Sequence, residues 1–313
     1  MAANAENLDM TGAEHVEVKP VSVHIGAEIS GVDCSAPLSP AEVAAIRQAL
    51  LKWKVVFFRD QPLDHQQHVD FSTQFGDPTP GHVVFGGDGE YPAIYSIAKF
   101  RKANSKRGSQ TLRPWSGWHA DITAAINPPS ISILRGVVVP PYGGDTMWTN
   151  LAAAYEGLSP ALQAWLETLH GEHRYELPTG SAQSKAYDEL VEQRTMVTHH
   201  PLVRVHPETG ERVLYVSPAF LNNIPDLAPA ESKHVTEMLW EHAVLPEYTA
   251  RFRWEPGSIA MWDNRATAHL APRDIFATEF DRQFYRVTLM GDVPTGVDGQ
   301  ASRSIDGDPI TPL

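Results

Sequence analysis

The last third of the chain restricts its fold most tightly. In ARFRWEPGSIAMWDNRATAHLAP (residues 250–272) and FDRQFYRVTLMGDVP (residues 280–294), short runs of β-branched and aromatic residues are interrupted by turn residues. Side chains on a strand alternate between two faces, so runs of this kind are stable only beside other strands and beneath a second layer. The rest of the chain supplies those strands. VKPVSVHIGAEISGVD (18–33) reads as a hairpin, KVVFFRD (54–60) as a buried strand, and SISILRGVVV (130–139) as a strand, followed by PPYGGDTMWTN as a turn and a further strand. HPLVRVHPETGERVLYVS (200–217) is a second hairpin about Pro-Glu-Thr-Gly-Glu, and GWHADIT (117–123) is read as a strand.

Helical periodicity occurs in four places. SPAEVAAIRQALLKW has a Ser cap at Ser39, Pro at the first helical position and an acid in the first turn. LDHQQHVDFSTQFG (63–76) stops on a glycine, LAAAYEGLSPALQAWLETLHG (151–171) is interrupted at Ser159-Pro160, and LAPAESKHVTEMLWEHAVLP (227–246) is a fourth helix. These helices precede or separate the strands without any regular βαβ alternation. The fold class expected is an all-β core with added helices, a double-stranded β-helix or jelly roll. Residues 1–16 read as a disordered tail, 17–299 as one domain with helical insertions, and 300–313 as a C-terminal tail. Residues 77–117 are loop-rich. Within them KFRKANSKRGSQTLR (99–113) carries six basic residues and no acid, which fits either a solvated loop or a flap that attracts an anion.

Composition excludes several classes of function. A net charge of −13 opposes binding to a phosphate backbone, so nucleic acid is not an expected partner. Cys34 is the one cysteine, which excludes an internal disulfide and cysteine-rich metal sites and suits a reducing cytoplasm. No apolar run approaches the ~20 residues needed to cross a bilayer, and the acidic start is unlike a secretion signal, so no membrane association is expected.

Five histidines stand two positions before an acid, with one residue between: His15, His68, His119, His170 and His206. Residues two apart share a side on a strand and diverge on a helix, so local structure selects among the five. His15 falls in the tail, His68 and His170 in or at the end of helices, and His206 at a turn; His119 and Asp121 are left. A facial iron site needs a second histidine and three open positions. His269 offers it, with His199 and His200 as competitors.

At this point WHADIT, GGDTMW (143–148), HPLVRVHPETG (200–210), WDNRATAH (262–269) and RQFYRVTLMGDVP (282–294) together resemble the taurine dioxygenase / TfdA-like iron(II)- and 2-oxoglutarate-dependent dioxygenases. The motifs keep the family's order over nearly the whole chain, and HPETGER with GDVP and GQASR is similar to its taurine dioxygenase and alkylsulfatase branch. The resemblance implies an Fe(II) site of His119, Asp121 and His269, and a 2-oxoglutarate site of Arg282 and Thr146 lined by Trp262, although plain core packing would account for that tryptophan as well. It further implies a substrate anion held by Arg286, for which an ordinary ion pair is the alternative, and a pocket near His82, Ile122, Tyr175 and Phe220. Trp115 stands near the position where taurine dioxygenases carry an asparagine, which favours a longer or more apolar substrate than taurine. The expected activity is hydroxylation of a small organic anion, an alkyl sulfonate or alkyl sulfate ester, with O2 as cosubstrate and release of sulfite or sulfate, an aldehyde, succinate and CO2. Alternatives are a dioxygenase for a carboxylate such as a phenoxyalkanoate or amino acid derivative, and a zinc hydrolase. A homo-oligomer, dimer or tetramer, is also implied.

Overall fold

The computed structural model describes residues 10–82, 86–87, 89–98, 113–175 and 194–313. All but the last residue of the basic segment 99–113, the candidate flap, lies outside them. Among the described residues no helix is long and apolar enough to cross a membrane.

The frame is a seven-stranded sheet. It is built from β1 (Glu17–Pro20), β2 (Ala27–Ser30), β3 (Val55–Phe58), β4 (Tyr95–Ala98), β5 (Ile131–Val138), β13 (Ile259–Asp263) and β15 (Gln283–Thr288), in the spatial order β1-β2-β3-β13-β5-β15-β4. Both faces of its centre are covered, which is why β3 is apolar at every position. Val56 and Phe58 meet α1 (Pro40–Trp53) and α2 (His65–Thr73) through Ile46, Leu50 and Phe71, while Val55 and Phe57 point the other way, toward Trp148, Phe252 and Trp262. The second layer is a three-stranded sheet of β12 (Thr249–Phe252), β6 (Thr146–Asn150) and β14 (Thr267–Leu270). It continues into a four-stranded sheet of β11 (Leu221–Asn223), β7 (His170–Tyr175), β8 (Met196–Pro201) and β17 (Arg303–Asp306), and a small sheet of β10 (Arg212–Leu214), β9 (Val203–Val205) and β16 (Thr295–Gly296). Helices α3 (Leu151–Glu156), α4 (Pro160–Leu166) and α5 (Pro229–Ala243) close the outer side of this layer on Leu166, Leu202, Leu214 and Leu239. The result is the expected β core with added helices.

Local chemistry accounts for the helix ends. Ser39 accepts from the Glu42 amide at 3.2 Å while Glu42 accepts from the Ser39 amide at 2.7 Å, a reciprocal cap. Asp64 and Gln67 repeat the arrangement at the start of α2.

Four readings from the sequence need correction. The GWHADIT segment is not a strand: His119 makes one isolated bridge with His269, and residues 121–124 form a turn. The loop-rich stretch contains β4, which pairs with β15 and covers the sheet's edge. His170 begins β7 rather than ending a helix, since α4 stops at Leu166 and its carbonyl end is closed by turn bonds to Leu169. Neither terminal segment trails away throughout, for Ala13 and Val16 are buried against the α1 side of the core, β17 pairs with β8, and Ile310 is 8% exposed. Each of these segments is stabilised by partners distant in sequence.

Buried neutral histidines make the fold acid-sensitive. Burial lowers His68 to about 3, reinforced by nearby Arg135, and lowers His173 to about 3 as well. The folded state therefore binds fewer protons than the unfolded chain below pH ~6.5, so this stability is complete above that pH and is lost as pH falls toward 3. Urea titrations between pH 7.5 and 5, above the range where carboxylates titrate, should show stability falling by up to about 1.4 kcal/mol per pH unit for each such histidine. A flat profile over that range would refute it.

Candidate active site

His119 and His269 are held side by side by the backbone. Each donates its amide to the other's carbonyl, at 2.9 and 2.7 Å, the closed pair of an antiparallel ladder. Their rings lie 4.2 Å apart, and Trp262 from β13 stands 4.8 Å from the His269 ring. His119 Nδ1 is 3.1 Å from the Gly117 carbonyl. A carbonyl only accepts, so this nitrogen carries the hydrogen and Nε2 keeps its lone pair. Gly117 can present that carbonyl because it has φ +90°, and a Cβ there would approach Leu270 to 2.9 Å.

Asp121 reaches the same point from the turn after the bridge. The next residue, Ile122, has φ +47°, an unusual conformation for a β-branched side chain, which bends the chain as Asp121 enters the site. Ser132 on β5 donates to Asp121 Oδ2 at 2.6 Å and Arg286 on β15 to Oδ1 at 2.5 Å. Asn264 bonds both to Ser132, at 2.7 Å, and to Trp262 Nε1, at 2.8 Å. One imidazole thus belongs to the small sheet, while the carboxylate leans on the large one.

Electrostatics favour cation binding. Burial pushes the Asp121 carboxyl up, but Arg286, the two histidines and Ser132 outweigh it and hold the group well below the usual carboxylate range. Burial and then His119 keep His269 neutral, its tendency to protonate lying well below the ordinary imidazole value. One ligand atom from each of His119, Asp121 and His269 lies within 4.8 Å of the others. Two imidazoles, that of His269 held neutral, and an ionised carboxylate on one side suit a ferrous ion with open positions, so these residues fit the metal. His199 and His200, the competing histidines, have other partners: Glu172 for the first, the Thr123 carbonyl and Ser302 for the second.

Arg282, at the start of β15, is 7% exposed and among the described residues has no carboxylate within ion-pairing distance. Its Nε donates to the Gly144 carbonyl at 3.2 Å and its guanidinium lies 3.8 Å over the Phe284 ring. Burial pushes it down to about 10, still far on the charged side at neutral pH. A buried cation of this kind calls for an anion. Thr146 is buried on β6 and accepts from Trp254 Nε1 at 3.0 Å.

Beside the metal-binding group lies a cluster of aromatic side chains. Arg286 sits 5.5 Å from the Tyr95 ring, His82 is 4.9 Å from Tyr95 and 6.5 Å from Tyr175, and Tyr175 stacks on Phe220 at 6.0 Å. Ile122 packs in the same cluster. The structure therefore brings together His82, Ile122, Tyr175 and Phe220. Trp115 packs instead on Trp240 of α5, at 6.1 Å. Sequence reasoning missed Ser132, Asn264 and Tyr95; Asn264 lies inside the WDNRATAH motif, whereas Ser132 and Tyr95 carry no local signal.

Residues 17–288 match the family model described as taurine catabolism dioxygenase TauD, TfdA family. An alpha-ketoglutarate-dependent sulfate ester dioxygenase of Pseudomonas putida is 40% identical over 311 residues, covering 96% of this chain and 98% of its own. An alkylsulfatase of Acinetobacter baylyi is 34% identical over 294 residues, covering 91% and 88%. The crystal structure of a taurine dioxygenase from Burkholderia xenovorans superposes with a TM-score of 0.84 at 58% identity, covering 94% of this chain and 96% of that one.

Proposed function

The chain belongs to the TauD, TfdA dioxygenase family, and from that premise we propose that it oxidises an alkyl sulfate ester, or a related alkyl sulfonate, at the carbon that carries the sulfur group. It is an enzyme, a 2-oxoglutarate-dependent dioxygenase that uses Fe(II), 2-oxoglutarate and O2. The observation that carries the proposal is the buried Arg282, which among the described residues has no carboxylate within ion-pairing distance, in the same core as a converged His119, Asp121 and His269. A zinc hydrolase built on the same three side chains would have no use for that cation.

In this reading His119, Asp121 and His269 hold Fe(II), which when bound supplies the activation of O2 coupled to decarboxylation of the 2-oxo acid. Arg282 takes the distal carboxylate of 2-oxoglutarate in two parallel charge-assisted bonds, with Thr146 as its hydroxyl partner and Trp262 beside His269. Arg286 holds the Asp121 carboxylate with one guanidinium nitrogen, while its Nε is buried with no hydrogen-bond partner among the described residues. In this reading the guanidinium nitrogens not bonded to Asp121 hold the anionic head of the substrate. The aromatic rings of Tyr95, Tyr175 and Phe220 exclude water and hold the alkyl part, with His82 and Ile122 at its border.

The atoms balance. One oxygen of O2 enters succinate and the other the substrate carbon, CO2 leaves, and the 1-hydroxyalkyl sulfate expels sulfate as its hydroxyl proton is lost, giving an aldehyde. Assembly into a homo-oligomer is part of the proposal, drawn from the family likeness.

The deciding experiment is a panel of alkyl sulfates, alkyl sulfonates and phenoxyalkanoates, scored by succinate release with Fe(II) and 2-oxoglutarate. Alkyl sulfates should give the highest kcat/KM, with one sulfate and one aldehyde per succinate. Preference for phenoxyalkanoates would overturn the head-group assignment and leave the reaction class in place.

A further inference from the structure

We propose that the C-terminal segment, residues 306–311, forms the far wall of the substrate pocket, and that Ile310 with Met196 gauges the length and breadth of the substrate's apolar tail. This rests on the dioxygenase reading above and extends it to the end of the pocket remote from the metal-binding residues.

The segment is placed firmly. β17 pairs with β8, and Thr195 donates to Asp306 Oδ2 at 2.9 Å. Gly307 then turns the chain at φ +90°, where a Cβ would come within 2.8 Å of the Thr195 carbonyl, so only glycine passes this point without displacement. Three residues on, the Ile310 amide and carbonyl both bond to the Asn127 side chain, at 2.8 and 2.9 Å. The Leu313 amide completes the attachment, bonding to the Pro78 carbonyl at 3.1 Å. An ordinary tail has no reason to be fixed at three places.

These attachments bring Ile310 into an apolar cluster with Ile122, Ala124, Ala125 and Met196, against which Tyr175 and Phe220 also pack. Ile122 directly follows Asp121, so this packed cluster links the turn that carries Asp121 with the C-terminal segment. On its far side lies a separate cavity of about 620 Å³ that shares Met196 and Ile310 as walls and is otherwise lined largely by polar and charged residues, among them Arg194, Asp306 and Asp308. Met196, flexible and unbranched, adapts to the tail, while Ile310 is a stiff stop.

The test uses the full chain with Ile310→Ala and Ile310→Phe, checked for folding by circular dichroism, against homologous series of alkyl sulfates and alkyl carboxylates of increasing length and branching. Since one methylene in an apolar pocket changes kcat/KM by roughly 10–200-fold, the long-to-short ratio should rise by at least about tenfold in Ile310→Ala. In Ile310→Phe it should fall by a similar factor. If Ile310→Phe does not fold, the alanine variant alone decides. A shifted ratio on carboxylates with no turnover of sulfates would overturn the head-group reading and keep this assignment. An unshifted ratio on whichever series the wild type accepts would overturn the assignment.

Discussion

Replacing His119 by alanine should lower succinate formation by more than about 100-fold while leaving the fold intact. Removing a group that merely orients a metal ligand reduces metal affinity or activity by roughly 10–100-fold, and loss of a ligand should exceed that range. His119 is the best of the three positions for the test. Its side chain is partly exposed, and its bridge to His269 is made by backbone atoms that alanine retains. Asp121→Ala is a poorer probe, because it strands the Arg286 guanidinium in the interior, and leaving one partner of a buried pair alone destabilises by about 3–5 kcal/mol. Ferrous ion binding, followed by equilibrium dialysis under anaerobic conditions, should weaken in parallel with turnover. Wild-type iron affinity together with wild-type turnover in His119→Ala would end the metal assignment.

Arg282→Ala is expected to raise the KM for 2-oxoglutarate by some 30- to several thousand-fold. Truncating one partner of a buried, hydrogen-bonded charge pair removes about 2–5 kcal/mol, and each 1.4 kcal/mol is a factor of ten. Arg282→Lys should recover part of the loss, since an ammonium supplies charge without the planar fork that meets both carboxylate oxygens. Stability supplies an independent check. The cation has no carboxylate partner among the described residues, so its removal relieves a desolvation penalty, and the thermal midpoint of the ligand-free variant should stay level or rise. A structural arginine would behave oppositely, with a lower midpoint and an unchanged KM.

The parts of this protein legible in its sequence are those governed by near neighbours. The reciprocal cap of Ser39 and Glu42 announces α1, the four apolar residues of β3 announce a strand covered on both faces, and Pro-Glu-Thr-Gly-Glu announces the turn between β9 and β10. The one-residue gap between His119 and Asp121 also points to two side chains that the structure brings together with His269, although not by the geometry that the gap suggests. The two do not share the face of a strand; one lies in a single bridge and the other in a turn bent by Ile122 at φ +47°. Nothing in the local sequence signals that conformation, because Ile disfavours it and the surrounding contacts impose it. The one-residue spacing was the right clue supported by the wrong geometry.

Sequence alone thus determined most of the element types, the layered β architecture and the identity of the chemically able side chains, since periodicity, capping and residue chemistry act over a few positions. Tertiary structure decided which groups meet. Ser132 and Arg286 arrive at Asp121 from positions 11 and 165 residues away, and Asn127 is joined to Ile310 across 183 residues. Such contacts depend on strand order and register, and those follow from closing the whole core against water rather than from any single stretch of chain.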